Sequence, residues 1–212
     1  RRMPLTDETV VAVVGAGAMG SGIAQVAAQA GHEVHLVDAA PGAAATAREK
    51  LSTTLARLVE KGRLTAEESD GILERIVIGP AADGDLKALP PVGLAIEAVV
   101  ENLGVKHDIF DTLADAHDDS TVLATNTSSL DVNAIAANLR APERVIGLHF
   151  FNPPPLMKLV EVVRTTQSSG DVLTDAMELM RAWGKTPVMC TSTPGFIVNR
   201  VARPFYGEAQ RM

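Results

Sequence analysis

A glycine-rich turn near the start of the chain constrains the fold more than any other feature of the sequence. The β-branched run Thr9–Val14 leads directly into the segment 15–20, which reads Gly-Ala-Gly-Ala-Met-Gly. Such a run predicts a strand that is buried on both faces, as in a parallel sheet. The segment 21–30 then predicts a helix, and Glu33–Val37 predicts a second strand. This part of the chain therefore has the pattern of a βαβ unit.

The three glycines of the turn match the G-x-G-x-x-G pattern of dinucleotide-binding sites. The first permits a tight turn, the second leaves space for a pyrophosphate, and the third lets the helix lie close to the strand. The helix start offers free N–H groups and a positive dipole end to the phosphates. An ordinary glycine-rich turn is the alternative, but the flanking strand and helix favour the binding site. The predicted phosphate-binding residues are Gly15, Ala16, Gly17, Ala18, Met19 and Gly20.

Asp38 ends the second predicted strand and indicates which dinucleotide is bound. A carboxylate at this place accepts hydrogen bonds from both hydroxyls of the adenosine ribose and repels a 2′-phosphate. Ala39 and Ala40 follow it, so no neighbouring Arg is available to receive such a phosphate. We therefore predict NAD rather than NADP as the cofactor. A helix N-cap is a second role for Asp38, and the two roles are compatible.

Predicted strands and helices alternate from about residue 10 to about residue 150. This alternation predicts an α/β fold, a doubly wound Rossmann-type sheet that is mostly parallel. Pro194-Gly195 interrupts the pattern, and a helix is predicted beyond it. We expect residues 1–194 to form the NAD-binding domain. Residues 195–212 are then the first helix of a C-terminal all-helical domain that is truncated or disordered.

Composition excludes several classes of function. The 212 residues include 19 Lys and Arg against 26 Asp and Glu, a net charge of −7, and only 3% are aromatic. Nucleic-acid binding is disfavoured, because it needs a basic surface or stacking aromatic residues. Cys190 is the single cysteine, which excludes an internal disulfide and a cysteine metal cluster. With no signal peptide or membrane-length apolar run, we expect a cytoplasmic protein without a metal or membrane contact.

A histidine and an acidic residue near the end of the alternating region form a candidate catalytic pair. His149 follows a predicted strand and precedes a Phe-Phe-Asn-Pro loop, and Glu161 lies within the apolar run Leu159–Val163. A carboxylate among apolar residues is costly unless it has a partner. The carboxyl ends of strands in such a sheet face the ligand. We therefore expect His149 to act as a general base that Glu161 orients, although an isolated His is more often structural or exposed.

Two further polar positions are candidates for substrate contact. Ser128 lies in Thr125–Ser129, which follows another predicted strand. This cluster is typical of a helix N-terminus, or it places hydroxyl donors near the nicotinamide. Asn199 follows Pro194-Gly195 and is either a solvated helix residue or a donor to a substrate oxygen.

Five segments of the chain form a combined pattern, and they are VVGAGAMGSGIAQ (13–25), IEAVVENLGVK (96–106), ATNTSSL (124–130), GLHFFNPPPLMKLVEVV (147–163) and TPGFIVNR (193–200). Together they resemble the short-chain (S)-3-hydroxyacyl-CoA dehydrogenase family. They occur in the family's order and at about its spacings, and they extend over almost the whole chain. Five joint matches are much more specific than the glycine pattern alone.

The resemblance implies a reaction and assigns roles in it. The implied reaction is the NAD-dependent oxidation of a 3-hydroxyacyl-CoA to a 3-ketoacyl-CoA, or its reverse, in fatty-acid metabolism or β-oxidation. His149 would be the general base and Glu161 its paired carboxylate. Ser128 and Asn199 would form hydrogen bonds to the 3-oxygen of the substrate, with Ser128 also near the cofactor.

The resemblance also implies contacts that the residue patterns alone do not predict. Glu101, Lys106 and Asn152 would line the NAD site. Without the resemblance, the first two would be interpreted as a solvent-exposed pair at a helix start. Thr54 and Lys61 would contact CoA, or they lie on an exposed helix face. The family has a C-terminal helical domain that dimerises, so a homodimer is expected.

Three alternatives stay open at this point. The chain could be another Rossmann hydroxyacid dehydrogenase, but those enzymes usually rely on a Lys after the Ser-bearing loop. It could be a non-catalytic, NAD-binding relative of the crystallin type, or the dehydrogenase part of a larger multifunctional protein. The segment 203–206, Arg-Pro-Phe-Tyr, is loosely similar to relatives that act on 3-hydroxyadipyl-CoA.

Overall fold

The β-branched run near the N-terminus forms a central strand of an eight-stranded sheet. The structure is a computed structural model, and it describes residues 4–202 of the chain. The strands are β1 (Val11–Val14), β2 (Val34–Val37), β3 (Ile76–Val77), β4 (Leu94–Glu97), β5 (Val122–Thr125), β6 (Val145–Phe150), β7 (Leu159–Arg164) and β8 (Thr186–Thr191). The helices are α1 (Ala18–Gln29), α2 (Ala43–Glu60), α3 (Ala66–Arg75), α4 (Leu103–Ala116), α5 (Val132–Ala136) and α6 (Gly170–Ala182).

The strands are arranged in the order β3-β2-β1-β4-β5-β6-β7-β8. Every neighbouring pair is parallel except β6 and β7, which are antiparallel. The order reverses direction at β1, and the edge beyond the carboxyl ends of the strands at such a reversal is where ligands bind. The predicted doubly wound, mostly parallel sheet is confirmed.

Helices cover both faces of the sheet. One apolar core joins β1, β2 and β4 to residues of α1, α2 and α6, and a second joins the opposite face to α4 and α5. Because both faces are covered, β1, β2, β4 and β5 are buried at every position. This burial explains why these strands have continuous apolar sequences rather than alternating ones.

The antiparallel pair β6–β7 was not predicted, and it changes the place of the candidate histidine. The pairing brings His149 opposite Glu161 and Phe150 opposite Val160. Because this pairing continues to Phe150, β6 ends two residues later than the sequence predicts. His149 therefore lies within the strand, next to its last residue, and not just after it.

The last described residues leave the sheet after β8. A turn occupies residues 194–197 and helical residues follow at 198–202. Most of the predicted C-terminal helix, residues 203–212, lies outside the described residues, and so does the segment 203–206. The division into domains at residue 195 stays a prediction. Among residues 4–202, no helix has the length and apolar character required to cross a membrane.

Candidate active site

The glycine turn between β1 and α1 has the shape that a dinucleotide phosphate needs. A Cβ on Gly15, which has φ +107°, would lie 2.6 Å from the Ala98 carbonyl oxygen, and one on Gly20 would lie 1.7 Å from the Gly15 oxygen. Both positions exclude a side chain because backbone approaches closely. A Cβ on Gly17 would meet no atom within 4 Å, so this position leaves open space in front of the turn. The turn thus fits a bound pyrophosphate.

The start of α1 and the side chain of Asp38 complete this part of the site. Gly17 precedes α1 without a side-chain cap, and its first turn contains no acidic residue. The helix N-terminus is therefore suited to an anion. Asp38 accepts hydrogen bonds from the amides of Ala16 (2.7 Å) and Ala40 (2.9 Å), so its carboxylate lies against the turn. The N-cap alternative for Asp38 is wrong, because Gly42 is the N-cap of α2.

His149 and Glu161 form the predicted pair. The Nδ1 atom of His149 lies 2.6 Å from Oε2 of Glu161, and their side chains are only 7% and 1% exposed. The other Glu161 oxygen accepts hydrogen bonds from the amides of Ile197 and Val198, each at 2.9 Å. Within the part of the chain that the structure describes, Nε2 of His149 has no hydrogen-bond partner. One ring nitrogen is thus held by a carboxylate, and the other is available for proton transfer.

Glu101 organises the loop that carries Ser128. Its Oε1 atom accepts hydrogen bonds from the Thr127 hydroxyl (2.6 Å), the Ser128 amide (2.8 Å) and the Ser129 amide (3.2 Å). Burial raises the pKa of Glu101, but the hydrogen bonds from Thr127 and Ser128 and the charge of Lys106 outweigh burial and lower the pKa. Glu101 is therefore a carboxylate that fixes the loop in one conformation.

Asn199 reaches the Ser128 loop from the other end of the chain. Its side-chain amide donates a hydrogen bond to the Ser128 carbonyl oxygen at 3.3 Å. The structure thus brings together the two residues that were predicted to hold the substrate oxygen. Asn152 is exposed and lies in the loop between β6 and β7, where it faces the same cleft as Gly17.

Lys106 is buried rather than solvent-exposed. Its side chain is 1% exposed, and its ammonium lies 2.6 Å from Oε1 of Glu97 and 3.3 Å from Oε2 of Glu101. The alternative of a solvated pair at the helix start is therefore wrong for Lys106. The side chain of Glu101 is 35% exposed. The Lys106 ammonium therefore contacts the Glu101 carboxylate from its buried side. Direct contact between Lys106 and NAD stays a prediction.

A cleft of about 850 Å³ extends from the glycine turn along α2 to the loop between β6 and β7. Thr54 lines this cleft, as predicted, and its hydroxyl donates a hydrogen bond to the Lys50 carbonyl oxygen. Lys61 is the C-cap of α2, and the structure does not place it among the lining residues. The cationic side chains that line the cleft are Lys50 and Arg63.

The chain matches a known protein family over most of its length. The family model for the NAD binding domain of 3-hydroxyacyl-CoA dehydrogenase matches residues 10–193. The chain belongs to this family. The cofactor of the matched domain is NAD, in agreement with the glycine turn and with Asp38.

Individual members of the 3-hydroxyacyl-CoA dehydrogenase family are also similar to the chain. It is 50% identical over 201 residues to the 3-hydroxyadipyl-CoA dehydrogenase of Escherichia coli (strain K12), covering 95% of this chain and 42% of the relative. It is 44% identical over 199 residues to a probable 3-hydroxybutyryl-CoA dehydrogenase of Bacillus subtilis (strain 168), covering 94% of this chain and 68% of the relative. The chain thus spans less than half of the first relative and about two thirds of the second.

Solved structures show the same fold. The crystal structure of a 3-hydroxybutyryl-CoA dehydrogenase from Escherichia coli K12 superposes with a TM-score of 0.93 at 48% identity. The superposition covers 98% of this chain and 43% of that one. The structure therefore has the fold of 3-hydroxyacyl-CoA dehydrogenases throughout the region that it describes.

Sequence reasoning missed two side chains that shape the site of this 3-hydroxyacyl-CoA dehydrogenase homologue. Glu97 is fully buried. Its carboxylate accepts hydrogen bonds from the Lys106 ammonium, the Thr125 hydroxyl (2.7 Å) and the Val99 amide (2.7 Å). An acidic residue in an apolar strand was the available signal, the same one that singled out Glu161. The Asn126 side chain accepts a hydrogen bond from the Phe150 amide at 2.9 Å, and no local pattern indicates this contact.

Proposed function

We propose that this protein catalyses the NAD-dependent oxidation of (S)-3-hydroxyacyl-CoA to 3-ketoacyl-CoA, and the reverse reaction. The observation that carries the proposal is the buried pair of His149 and Glu161, joined at 2.6 Å. It lies at the carboxyl ends of the strands, the sheet edge that also carries the glycine turn. A histidine paired in this way is suited to take a proton from an alcohol.

The pair determines which nitrogen of His149 is the base. A carboxylate beside Nδ1 places the ring proton on that atom, so Nε2 has the free electron pair. Nε2 takes the proton of the 3-hydroxyl group while the hydrogen on carbon 3 leaves with its electron pair. NAD, when it is bound, supplies the acceptor for that hydride. Glu161 then stabilises the positive imidazolium, and general-base help of this kind contributes roughly 10²–10⁴-fold to the rate.

Other residues bind and orient the reactants in this proposal. Ser128 and Asn199 form hydrogen bonds to the 3-oxygen, and the contacts of Glu101 keep Ser128 in place. Residues 15–20 hold the cofactor phosphates, and Asp38 binds the adenosine ribose. Asn152, Lys106 and Glu101 belong to the NAD site as well.

The CoA moiety is proposed to lie along α2. Thr54 lines the cleft there, and Lys50 and Arg63 supply positive charge for phosphate groups. Lys61, which the family resemblance implies as a CoA contact, is proposed as a secondary contact at the end of the helix.

We further propose the organisation and context of the protein. Residues 1–194 form the NAD-binding domain, and residues 195–212 begin a helical domain through which the protein forms a homodimer. Its place is cytoplasmic acyl-CoA metabolism, such as β-oxidation. Light scattering during size-exclusion chromatography tests the homodimer in the longest form that the gene encodes, and a monomeric mass would contradict it.

The reaction is tested by NADH absorbance with the longest form that the gene encodes. We expect NADH consumption with acetoacetyl-CoA and longer 3-ketoacyl-CoA substrates, including a dicarboxylic 3-oxoadipyl-CoA. Free acetoacetate and other free keto acids serve as controls and should give little turnover. Turnover of the free acids alone would favour another hydroxyacid dehydrogenase. NADH binding without any turnover would favour a non-catalytic relative.

A further inference from the structure

The segment 196–199, which follows β8, contacts three of the residues assigned to the reaction. These residues are Glu161, Ser128 and His149. The amides of Ile197 and Val198 donate hydrogen bonds to Oε1 of Glu161. The side chain of Asn199 donates to the Ser128 carbonyl oxygen. The segment thus meets the acid of the pair and the Ser128 loop within three consecutive residues.

Phe196 begins this series and packs against the base itself. Its ring centroid lies 5.6 Å from that of the His149 imidazole, with a tilt of 59° between the rings. The side chain is almost completely buried, at 3% exposure. Phe151, which is two residues beyond His149, packs against the same imidazole at 4.6 Å. Rings at these distances and angles attract each other, so the imidazole is held by aromatic contacts as well as by Glu161.

The backbone of Phe196 is in a conformation that a bulky residue rarely adopts. Its φ is +47°, and Gly195 before it has φ +76°. The left-handed region is disfavoured for a side chain with a Cβ, so surrounding contacts must hold Phe196 there. Two successive left-handed residues turn the chain sharply. The next two amides then point at one carboxylate oxygen, an arrangement that binds anions.

We propose that Phe196 is a positioning residue for the general base His149. Its ring restrains the imidazole, and its left-handed backbone places the amides of Ile197 and Val198 on Glu161. It acts through His149 and Glu161 and does not touch the reacting atoms. The inference rests on the proposed function for its effect on turnover, but its effect on the histidine–carboxylate pair is independent of any substrate.

The first test observes the pair directly, in the longest form that the gene encodes. A proton shared between His149 Nδ1 and Glu161 gives a far-downfield line in the proton NMR spectrum, and Glu161→Gln assigns it by abolishing it. We expect Phe196→Ala to broaden or remove this line, because the ring is freed to move and to exchange with water. Val201→Ala is the matched control, since Val201 lies in the same segment with its side chain 69% exposed, and it should keep the line unchanged.

The second test measures turnover. We expect Phe196→Ala to lower kcat about 10- to 100-fold, since small misplacements of a catalytic group have effects of this size, and to leave the KM for NAD unchanged. A purely structural role would lower the amount of active enzyme without changing the NMR line of the folded fraction. Val201→Ala should keep the wild-type kcat.

Phe196→Leu covers the case in which the alanine variant does not fold. Leucine keeps a large apolar side chain but removes the ring, and we expect a smaller loss of the same two signals. The inference is overturned if the folded variants, or Phe196→Leu alone, keep both the line and kcat of the wild type. Loss of the line in a protein that turns over no acyl-CoA at all would support the inference and refute the proposed function instead.

Discussion

Two buried histidines of this protein differ in what binds their second ring nitrogen. His149 contacts Glu161 through Nδ1 and leaves Nε2 without a partner among residues 4–202. His32 contacts the Thr9 carbonyl oxygen through Nδ1 (2.9 Å), and its Nε2 accepts a hydrogen bond from the Trp183 indole (2.8 Å). Both rings are at least nine-tenths buried. Burial therefore does not distinguish the proposed base from the structural histidine, but the hydrogen-bond partners do.

The hydrogen-bond partners also decide what each ring is suited to do. His32 gives its Nδ1 proton to a carbonyl and needs a free electron pair on Nε2 for Trp183, so the contacts require the neutral ring. Burial lowers the pKa of His32, and the contact with Thr9 and the charge of Asp7 offset burial only in part. At His149 the contact of Nδ1 with Glu161 leaves Nε2 open, as a proton acceptor in the proposed reaction requires. A histidine side chain is thus suited to a structural role in His32, at one edge of the sheet, and to proton transfer in His149, at the other edge.

The largest expected effect comes from replacing the proposed base. His149→Gln should lower kcat roughly 10²–10⁴-fold, because it removes the proton acceptor. The affinity for NADH, measured by its fluorescence, should change little, since the glycine turn and Asp38 are untouched. His32→Gln is the matched control and should keep kcat per folded molecule. Equal losses of kcat in both variants would remove the functional distinction between the two histidines.

The second effect is on stability. Here the replacement of His32, and not that of His149, should have the larger effect. His32→Leu should lower the free energy of unfolding by about 1–3 kcal/mol, because leucine offers no acceptor to the buried Trp183 donor. Urea unfolding followed by Trp183 fluorescence measures this, since Trp183 is the single tryptophan. If His32→Leu is as stable as the wild type, the contacts of His32 with Thr9 and Trp183 do not stabilise the fold.

The third prediction concerns the pH dependence of stability. Because the pKa of His32 is lowered from 6.5 in the folded protein, the unfolded chain binds its proton first as the pH falls. The stabilisation that neutral His32 gives to the folded state is complete above pH 6.5. It is lost as the pH falls toward the lowered pKa, and the free energy of unfolding then decreases by at most about 1.4 kcal/mol per pH unit. Burial and the charge of Arg144 lower the pKa of His117 as well, so it adds a slope of the same sign.

Urea unfolding between pH 5 and 8 tests this expectation. This range spans about one pH unit or more on either side of an ordinary His pKa. The slope should be shallower in His32→Asn and shallower still when His117→Asn is added. A wild-type stability that does not change over this range would contradict the neutral state assigned to His32.

The smallest effect should come from Trp183→Phe. It keeps an aromatic ring in the core but removes the donor to His32, so the expected cost is about 0.5–1.5 kcal/mol. It also gives His32 a free second nitrogen, as at His149. Circular dichroism can follow unfolding in this variant, which lacks tryptophan. The free energy of unfolding should depend less on pH in this variant, because protonation of His32 no longer breaks a hydrogen bond to Trp183. A steeper pH dependence than in the wild type would argue against Trp183 as the group that keeps His32 neutral.

Much of the fold could be predicted because its signals are local. Continuous apolar runs predict strands that are buried on both faces, and the glycine spacing predicts the turn into α1. The direction of β7 could not be predicted, because a buried strand has the same composition whether its neighbour is parallel or antiparallel. The direction depends on the path of the proline-rich loop at 151–158, which returns the chain alongside β6.

The candidate site was predicted in part. The pairing of His149 with Glu161 followed from the cost of an acid in an apolar strand, and the structure confirms it. The same reasoning applies to Glu97, but its partner Lys106 was predicted to line the NAD site, with a solvent-exposed helix start as the alternative. Phe196 was not singled out, because an aromatic residue in a short turn has no local feature that indicates contact with a histidine 47 positions earlier.

The amino-acid sequence by itself determined where strands, helices and tight turns form, since these follow from backbone conformation and hydrophobic periodicity over a few residues. It also determined which positions carry titratable groups. Only the tertiary structure decided which of those groups are paired, buried or free, as with the second nitrogens of His32 and His149. The physical reason is that the charge state and reactivity of a side chain depend on the dielectric and the hydrogen-bond partners around it, and residues distant in sequence supply these.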